Sequence, residues 1–196
     1  MKYCSLCGSK VSKCIPAGDD RDRDVCGDCG HIHYQNPKIV TGCLVEQDGK
    51  ILLCQRAIEP RYGLWTLPAG FMENGETVEE GAARETREEA MAEVEVNGLY
   101  TMFSLTHINQ IYMLFRARFK SPEFAPGPES LDVKLVSEDE IPWDEIAFPV
   151  IEETLRLYLE DRKTGHFGPH LGEMRAVVDA SGEHIETKMN TTIDHA

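Results

Sequence analysis

Apolar residues are sparse over the first 34 positions and then gather in short runs at 39–45, 51–54, 94–105 and 111–119. Runs of this length between turn residues read as β-strands, and Gln47, Asp48 and Gly49 supply a hairpin turn between the first two. Positions 61–71 contain Gly63, Pro68 and Gly70, which predicts a shaped loop with a brief strand rather than a helix. Thr77 followed by Glu80 fits a capping box and predicts a helix to about Met91, with Ala82, Ala83, Thr86 and Ala90 as a small inner face. A Pro-rich loop at 121–130 leads to another short strand at 132–136. Behind Pro149, the residues Ile151, Leu155, Tyr158 and Leu159 recur at helical spacing and predict a second helix over 148–159. After Arg162 the periodicity lapses, so a tail that wraps or frays is expected, with 174–178 as a small added strand. This order gives an α/β fold with a mixed sheet. Three parts are expected, 1–34, 35–162 and 163–196, with Asn36-Pro37 as the hinge between the first two.

The first helix carries the candidate chemistry. Glu85, Glu88 and Glu89 share one helical face and repel one another unless a cation lies between them. Gly70 offers a backbone carbonyl near the helix start, and Glu73 and Glu76 add further oxygens. Hard oxygen donors favour Mg2+ or Mn2+ over zinc, and such ions are commonly shared with substrate phosphates. Arg84 lies four residues before Glu88, close enough to hold that carboxylate rather than to clamp phosphate.

The front stretch cannot build much of a core and needs a staple. Of seven cysteines, four form the pairs Cys4-x-x-Cys7 and Cys26-x-x-Cys29, which suits four thiolates around one structural Zn2+. His31 or His33 is an alternative donor. Gly8 and Gly30 follow the two pairs, where a positive backbone torsion can aim an N–H at sulfur. The net charge of -14, from 34 acidic against 20 basic residues, argues against a broad nucleic-acid surface and gives no motive for docking on anionic lipid. No apolar run approaches the roughly 18 residues of a membrane span, and the start lacks the apolar core of a signal peptide, so the expected location is cytoplasmic.

The run Gly70-x5-Glu76-x7-Arg84-Glu85-x-x-Glu88-Glu89 resembles the signature of the Nudix hydrolases, over a similarity extending from about residue 36 to 159. The departures are Thr86 and Ala92 at aliphatic positions and Met91 at a glycine position; Met91 is expected either to let the helix continue or to tighten its end without a left-handed residue. The resemblance implies an α/β/α sandwich with a mixed sheet behind a small zinc ribbon. It implies that Glu85, Glu88, Glu89 and the Gly70 carbonyl hold Mg2+ or Mn2+, that Glu76 supports the site and that Arg84 orients it. Glu129 is the candidate for metal contact or base, with Glu138 and Asp139 as rivals. Arg56 is the candidate for phosphate contact, and Trp65 and Phe71, with Tyr62 and Phe103, are candidates for stacking on substrate rings.

The stretches Gly127-Pro128-Glu129-Ser130, 139–145 and Ala147-Phe148 are similar to the branch of FAD and ADP-ribose pyrophosphatases, whereas the stretch diagnostic of NADH pyrophosphatases is missing. That branch implies hydrolysis of a nucleoside diphosphate derivative, FAD to FMN and AMP first, then ADP-ribose, then NADH. A non-catalytic zinc-ribbon interaction protein is the alternative. The ribbon is expected to brace the enzyme or to build a homodimer boundary.

Overall fold

Three short antiparallel strands organise the front of the chain: β1 (Val11–Cys14), β2 (Arg23–Cys26) and β3 (Ile32–His33), in that order. Only a few side chains there are buried, among them Cys4 and Cys26, so apolar packing is too thin to hold these strands alone. The structure, a computed structural model, describes residues 1–179 and 182–192. Its chain separates into two units, Met1–Pro37 and Lys38–Ala196.

The second unit is built on one mixed sheet whose strands lie in the order Ser130–Val136, Lys50–Arg56, Lys38–Gln47, Gln110–Phe119, Val94–Leu105, His170–Asp179 and Gly182–Thr192. Strands β4 (Lys38–Gln47) and β5 (Lys50–Arg56) meet at a turn where Asp48 and Gly49 both take positive φ, 51° and 78°, the backbone a two-residue hairpin requires. Their pairing covers only Glu46–Gln47 with Lys50–Ile51, after which they part. The short strands β6 (Trp65–Thr66) and β7 (Ala69–Phe71) fill the opening, β6 on β5 and β7 on β4. Helix α1 (Val78–Ala90) follows, then the antiparallel pair β8 (Val94–Leu105) and β9 (Gln110–Phe119), with β9 lying parallel to β4. Strand β10 (Ser130–Val136) covers the outer edge of β5, and helix α2 (Pro149–Thr164) returns the chain to the other face.

Strand alternation explains the continuous apolar runs. Leu44, Ile51 and Leu53 face a core completed by Ile151, Leu155 and Tyr158 of α2, while Cys43, Val45, Leu52 and Cys54 face a second core with Ala82 and Ala90 of α1. The sheet is therefore covered on both faces. On the α1 side the small residues let the helix lie close enough for the Thr41 hydroxyl to donate to Val78 O at 2.8 Å. Thr86 is fully buried, and its hydroxyl is satisfied one turn back by Ala82 O at 2.8 Å, so a threonine costs little at an aliphatic position.

Two expectations are corrected. Met91 ends α1 in the left-handed conformation, φ 49°, with its N–H bonded to Arg87 O at 2.9 Å, because the chain must turn at once into β8. The stretch expected to wrap or fray, with a small added strand at 174–178, is a full hairpin of β11 (His170–Asp179), which contains that strand, and β12 (Gly182–Thr192), added to the sheet by parallel pairing of His170–Met174 with Thr101–Leu105. Asp161 of α2 fixes its base, accepting from the Tyr100 hydroxyl at 2.8 Å and lying 2.7 Å from His170 Nε2. Gly172 lets the hairpin close onto Phe103, since a Cβ there would meet the ring at 2.6 Å. Gly172→Ala is therefore expected to lower stability by about 1–3 kcal/mol in urea unfolding, as overpacking does; an unchanged midpoint would mean that the hairpin does not bear on Phe103.

Candidate active site

The capping box sets the helix that carries the glutamates. Thr77 N donates to Glu80 at 2.7 Å, and Glu80 N donates to the Thr77 hydroxyl at 3.2 Å. From that start, Glu85 and Glu89 turn toward the sheet and are buried, whereas the Glu88 side chain stays 54% exposed. The face expected to carry three equivalent carboxylates is thus a graded one.

Arg84 holds it together with every donor it has. Its Nε and one terminal nitrogen grip Glu76 at 3.0 and 2.8 Å, the other terminal nitrogen bonds Glu85 at 2.7 Å and Glu88 at 3.0 Å, and the fifth bond goes to Phe71 O at 3.1 Å. No N–H is left for a substrate phosphate, so Arg84 orients carboxylates. The guanidinium, helped by the Glu73 N–H, holds the Glu76 carboxyl well below its usual range, at about 2.

Glu89 has the opposite environment. Burial pushes its carboxyl up to about 8; the Ala69 N–H, 3.2 Å away, and Arg56 oppose the rise, while Glu85 and Glu129 add to it. Burial also raises Glu85, against the pull of Arg84. Gly70 completes this crowding, because a Cβ there would collide with the Glu85 carboxylate. Buried carboxylate oxygens crowded together against a glycine backbone are a donor set that a hard divalent cation fits.

The loop expected to supply a further carboxylate docks on the far end of α1. Gly127 N donates to Glu89 O at 3.0 Å, and a Cβ at Gly127 would strike Glu88 O, so only glycine permits this approach. Two residues on, Glu129 anchors its backbone to Ala57 N at 2.8 Å and lines the same cavity as Gly70, Glu85, Glu88 and Glu89. Glu138 and Asp139 lie elsewhere: Glu138 is 3.9 Å from Arg162, and Asp139 accepts from the Ser137 hydroxyl at 2.7 Å.

The cavity measures about 990 Å3. Arg56 and Phe71 line it. Arg56 is held by Pro60 O at 2.9 Å and lies 5.1 Å over the Phe148 ring, while Phe71 is half exposed beneath Lys38. Trp65 is elsewhere, buried in the core with Lys134 over its ring, and its carbonyl accepts from Ala147 N. Pairing of β6 with β5 turns the indole inward, so it cannot stack on a ligand in this cavity. Phe103 is likewise core, under Gly172, and the exposed Tyr62 is not part of the cavity wall. Sequence reasoning missed Gln110 and Tyr112 of β9, which alternation could have paired, and Met174 and Ile185, which only the hairpin brings here.

In the front unit, the sulfurs of Cys4, Cys7, Cys26 and Cys29 all lie within 4.8 Å of one another. The closest separations are 3.4, 3.6 and 3.7 Å, near the edge of about 3.8 Å that a tetrahedron with zinc–sulfur bonds of about 2.3 Å would have. Gly8 and Gly30 do take positive φ, 77° and 71°, but their N–H groups donate to Cys4 O and Cys26 O; N–H groups that reach sulfur include those of Leu6, Ser9, Cys29 and His31.

Residues 36–157 match the NUDIX domain family, and residues 2–35 match the family described as Nudix N-terminal. The chain belongs to the Nudix family. Its fold is close to the crystal structure of a NUDIX hydrolase from Nitrosomonas europaea, with 55% identity and a TM-score of 0.87 over 89% of this chain and 99% of that one. It is 32% identical over 162 residues to the NAD-capped RNA hydrolase NudC of Photobacterium profundum, covering 79% of this chain and 58% of the relative. It is 41% identical over 71 residues to the ADP-ribose pyrophosphatase of Methanocaldococcus jannaschii, covering 36% of this chain and 42% of the relative. The chain spans less than two thirds of the length of either curated relative. Residues 36–157 are a catalytic Nudix hydrolase domain behind a zinc-ribbon-like cysteine cluster able to coordinate a metal. Among the described residues no helix is long and apolar enough to cross a membrane.

Two outcomes follow from this geometry. Because the folded Glu76 carboxyl sits at about 2 against an ordinary 4.5, its contribution is complete above pH 4.5 and is lost as pH falls toward 2. Thermal melts of Glu76→Gln should accordingly fall below wild type at pH 7, with the gap closing between pH 4.5 and 2. For the cysteine cluster, elemental analysis should find one zinc per chain and none in Cys26→Ser, with chelation abolishing a metal-dependent unfolding transition; a full zinc complement in Cys26→Ser would remove Cys26 from the ligand set.

Proposed function

We propose that the chain is a metal-dependent diphosphatase of nucleoside diphosphate derivatives that cleaves FAD to FMN and AMP, with ADP-ribose as the runner-up substrate. The observation that carries the reading is the buried carboxylate pair Glu85 and Glu89, the first held by Arg84 and the second by the Ala69 N–H, opening onto a cavity at the upper end of the volumes usual for small-molecule sites. The Gly127-Pro128-Glu129-Ser130 loop supports the same branch, because its glycine lets the loop lie against α1 and presents Glu129 to the cavity. Similarity to an ADP-ribose pyrophosphatase favours the runner-up, and similarity to a NAD-capped RNA hydrolase keeps dinucleotides of NAD type on the panel.

In this reading Glu85, Glu88, Glu89 and the Gly70 carbonyl would hold Mg2+ or Mn2+. Such an ion, when bound, offsets charge on the phosphoryl oxygens and lowers the pKa of coordinated water. The remaining work falls to the chain. Arg84 keeps Glu85 and Glu88 in one orientation, Arg56 opposes the negative charge around Glu89 and of an entering diphosphate, and Glu129 accepts the proton of the attacking water. Carboxylates outnumber guanidiniums around the cavity, so a diphosphate is repelled without the cation.

Product analysis with Mg2+ against FAD, ADP-ribose and NADH, with a metal-free control, tests the assignment. FMN plus AMP from FAD is the expected result, and selective cleavage of ADP-ribose promotes the runner-up. Glu88→Gln should lose more than about 100-fold in turnover, beyond the usual effect of a residue that only supports a metal ligand. Its unfolding midpoint should barely move, because the side chain is half exposed. Undiminished turnover in that variant would end the metal-site reading.

A further inference from the structure

The C-terminal hairpin overhangs the candidate site. Strand β11 pairs with β8 only as far as Met174 opposite Leu105, where β8 ends, and the hairpin continues past that point with Ala176 opposite Ile185. Burial alternates along β12, with Ile185, Thr187 and Met189 facing inward and their neighbours exposed, so Ile185 and Met174 lie on the inner face. That face is tied to the β8–β9 turn: Thr106 N donates to Met174 O at 3.3 Å, and His107 Nδ1 lies 3.3 Å from the same oxygen. Ile185, Met174, Leu105 and Ile108 thus form a mostly apolar wall of the same cavity that holds the glutamates, with Gln110 and Tyr112 beside them. In the sheet, β12 stands four strand steps from β4, each about 4.8 Å, so the cavity reaches well beyond the space a diphosphate needs.

We infer that this hairpin wall is the substrate-selecting part of the site and takes a planar heteroaromatic ring of the substrate, with Ile185 against the ring face and the buried Met174 behind it. The aliphatic surfaces of Ile185 and Ile108 suit the apolar face of a ring, and the Gln110 amide can meet its polar edge. A diphosphate without a ring would leave the wall in water. The inference rests on the proposed diphosphatase reading, which it deepens by naming the element that recognises what the diphosphate carries.

The test compares wild type with Ile185→Ala and Ile185→Leu, reading KM for FAD and ADP-ribose together with the inhibition constant of inorganic pyrophosphate, all with Mg2+. Ile185→Ala should raise KM roughly 5- to 30-fold for at least one ring-bearing substrate, the scale of removing aliphatic carbons from an apolar pocket. Pyrophosphate inhibition should change less than about twofold, and Ile185→Leu should restore most of the loss, since it keeps the volume. Equal shifts for pyrophosphate and the dinucleotides, or no shift for any of them, would overturn the inference. Failure of wild type to turn over any dinucleotide would count against the proposed function alone. Calorimetric titration of FAD and ADP-ribose into the same proteins then decides the inference: weaker binding by Ile185→Ala upholds it, while equal binding, or none by wild type, overturns it.

Discussion

Five hydrogen bonds from one guanidinium hold the candidate site together. Arg84 joins the loop before α1, through Glu76 and Phe71 O, to the helix itself, through Glu85 and Glu88. A lysine offers three donors on a point charge and could not span these groups. Arg84 leaves one member of the set uncompensated, because Glu89 lies outside its reach, and burial beside Glu85 and Glu129 disfavours its ionised form and pushes the carboxyl up to about 8. That residual repulsion is what gives a divalent cation its place in the proposed chemistry.

Close backbone approach is the second constraint. Gly42, Gly70 and Gly127 each sit where a Cβ would collide, against Ala69 and Pro68, the Glu85 carboxylate and Glu88 O respectively. None of the three is needed for a positive φ; each is needed for space. Together they press β7 onto β4, let the Glu85 carboxylate lie against the Gly70 backbone and seat the Glu129 loop on the end of α1. The small residues Ala82, Thr86 and Ala90 do the same for the packed side of the helix, so that site and core share one tight layer.

Local patterns were legible wherever the physics was local. The capping box starts α1, Asp48 and Gly49 turn the β4–β5 hairpin, and Pro149 opens α2. The cysteine pairs converge because each CxxC is already a turn, and bringing two turns together needs only one small sheet. The aromatic candidates illustrate the limit. Phe71 reaches the cavity and Trp65 does not, although both lie in short strands of the same segment, because side-chain direction follows from strand pairing rather than from residue type.

Chain order alone determined the two helices and the strands between 38 and 136, the spacing of the glutamates and the thiolate pairs, since capping, turn torsion and helical spacing act over a few residues. Tertiary structure decided which carboxylates are buried, that Arg84 is fully engaged, that Glu129 rather than Glu138 or Asp139 faces the cavity, and that the last two strands wall it. Those outcomes depend on contacts between residues tens of positions apart, and the parallel pairing of β11 with β8 depends on α2 carrying the chain back across the sheet. No short-range pattern encodes such a return, because its free energy comes from burying one whole face against another.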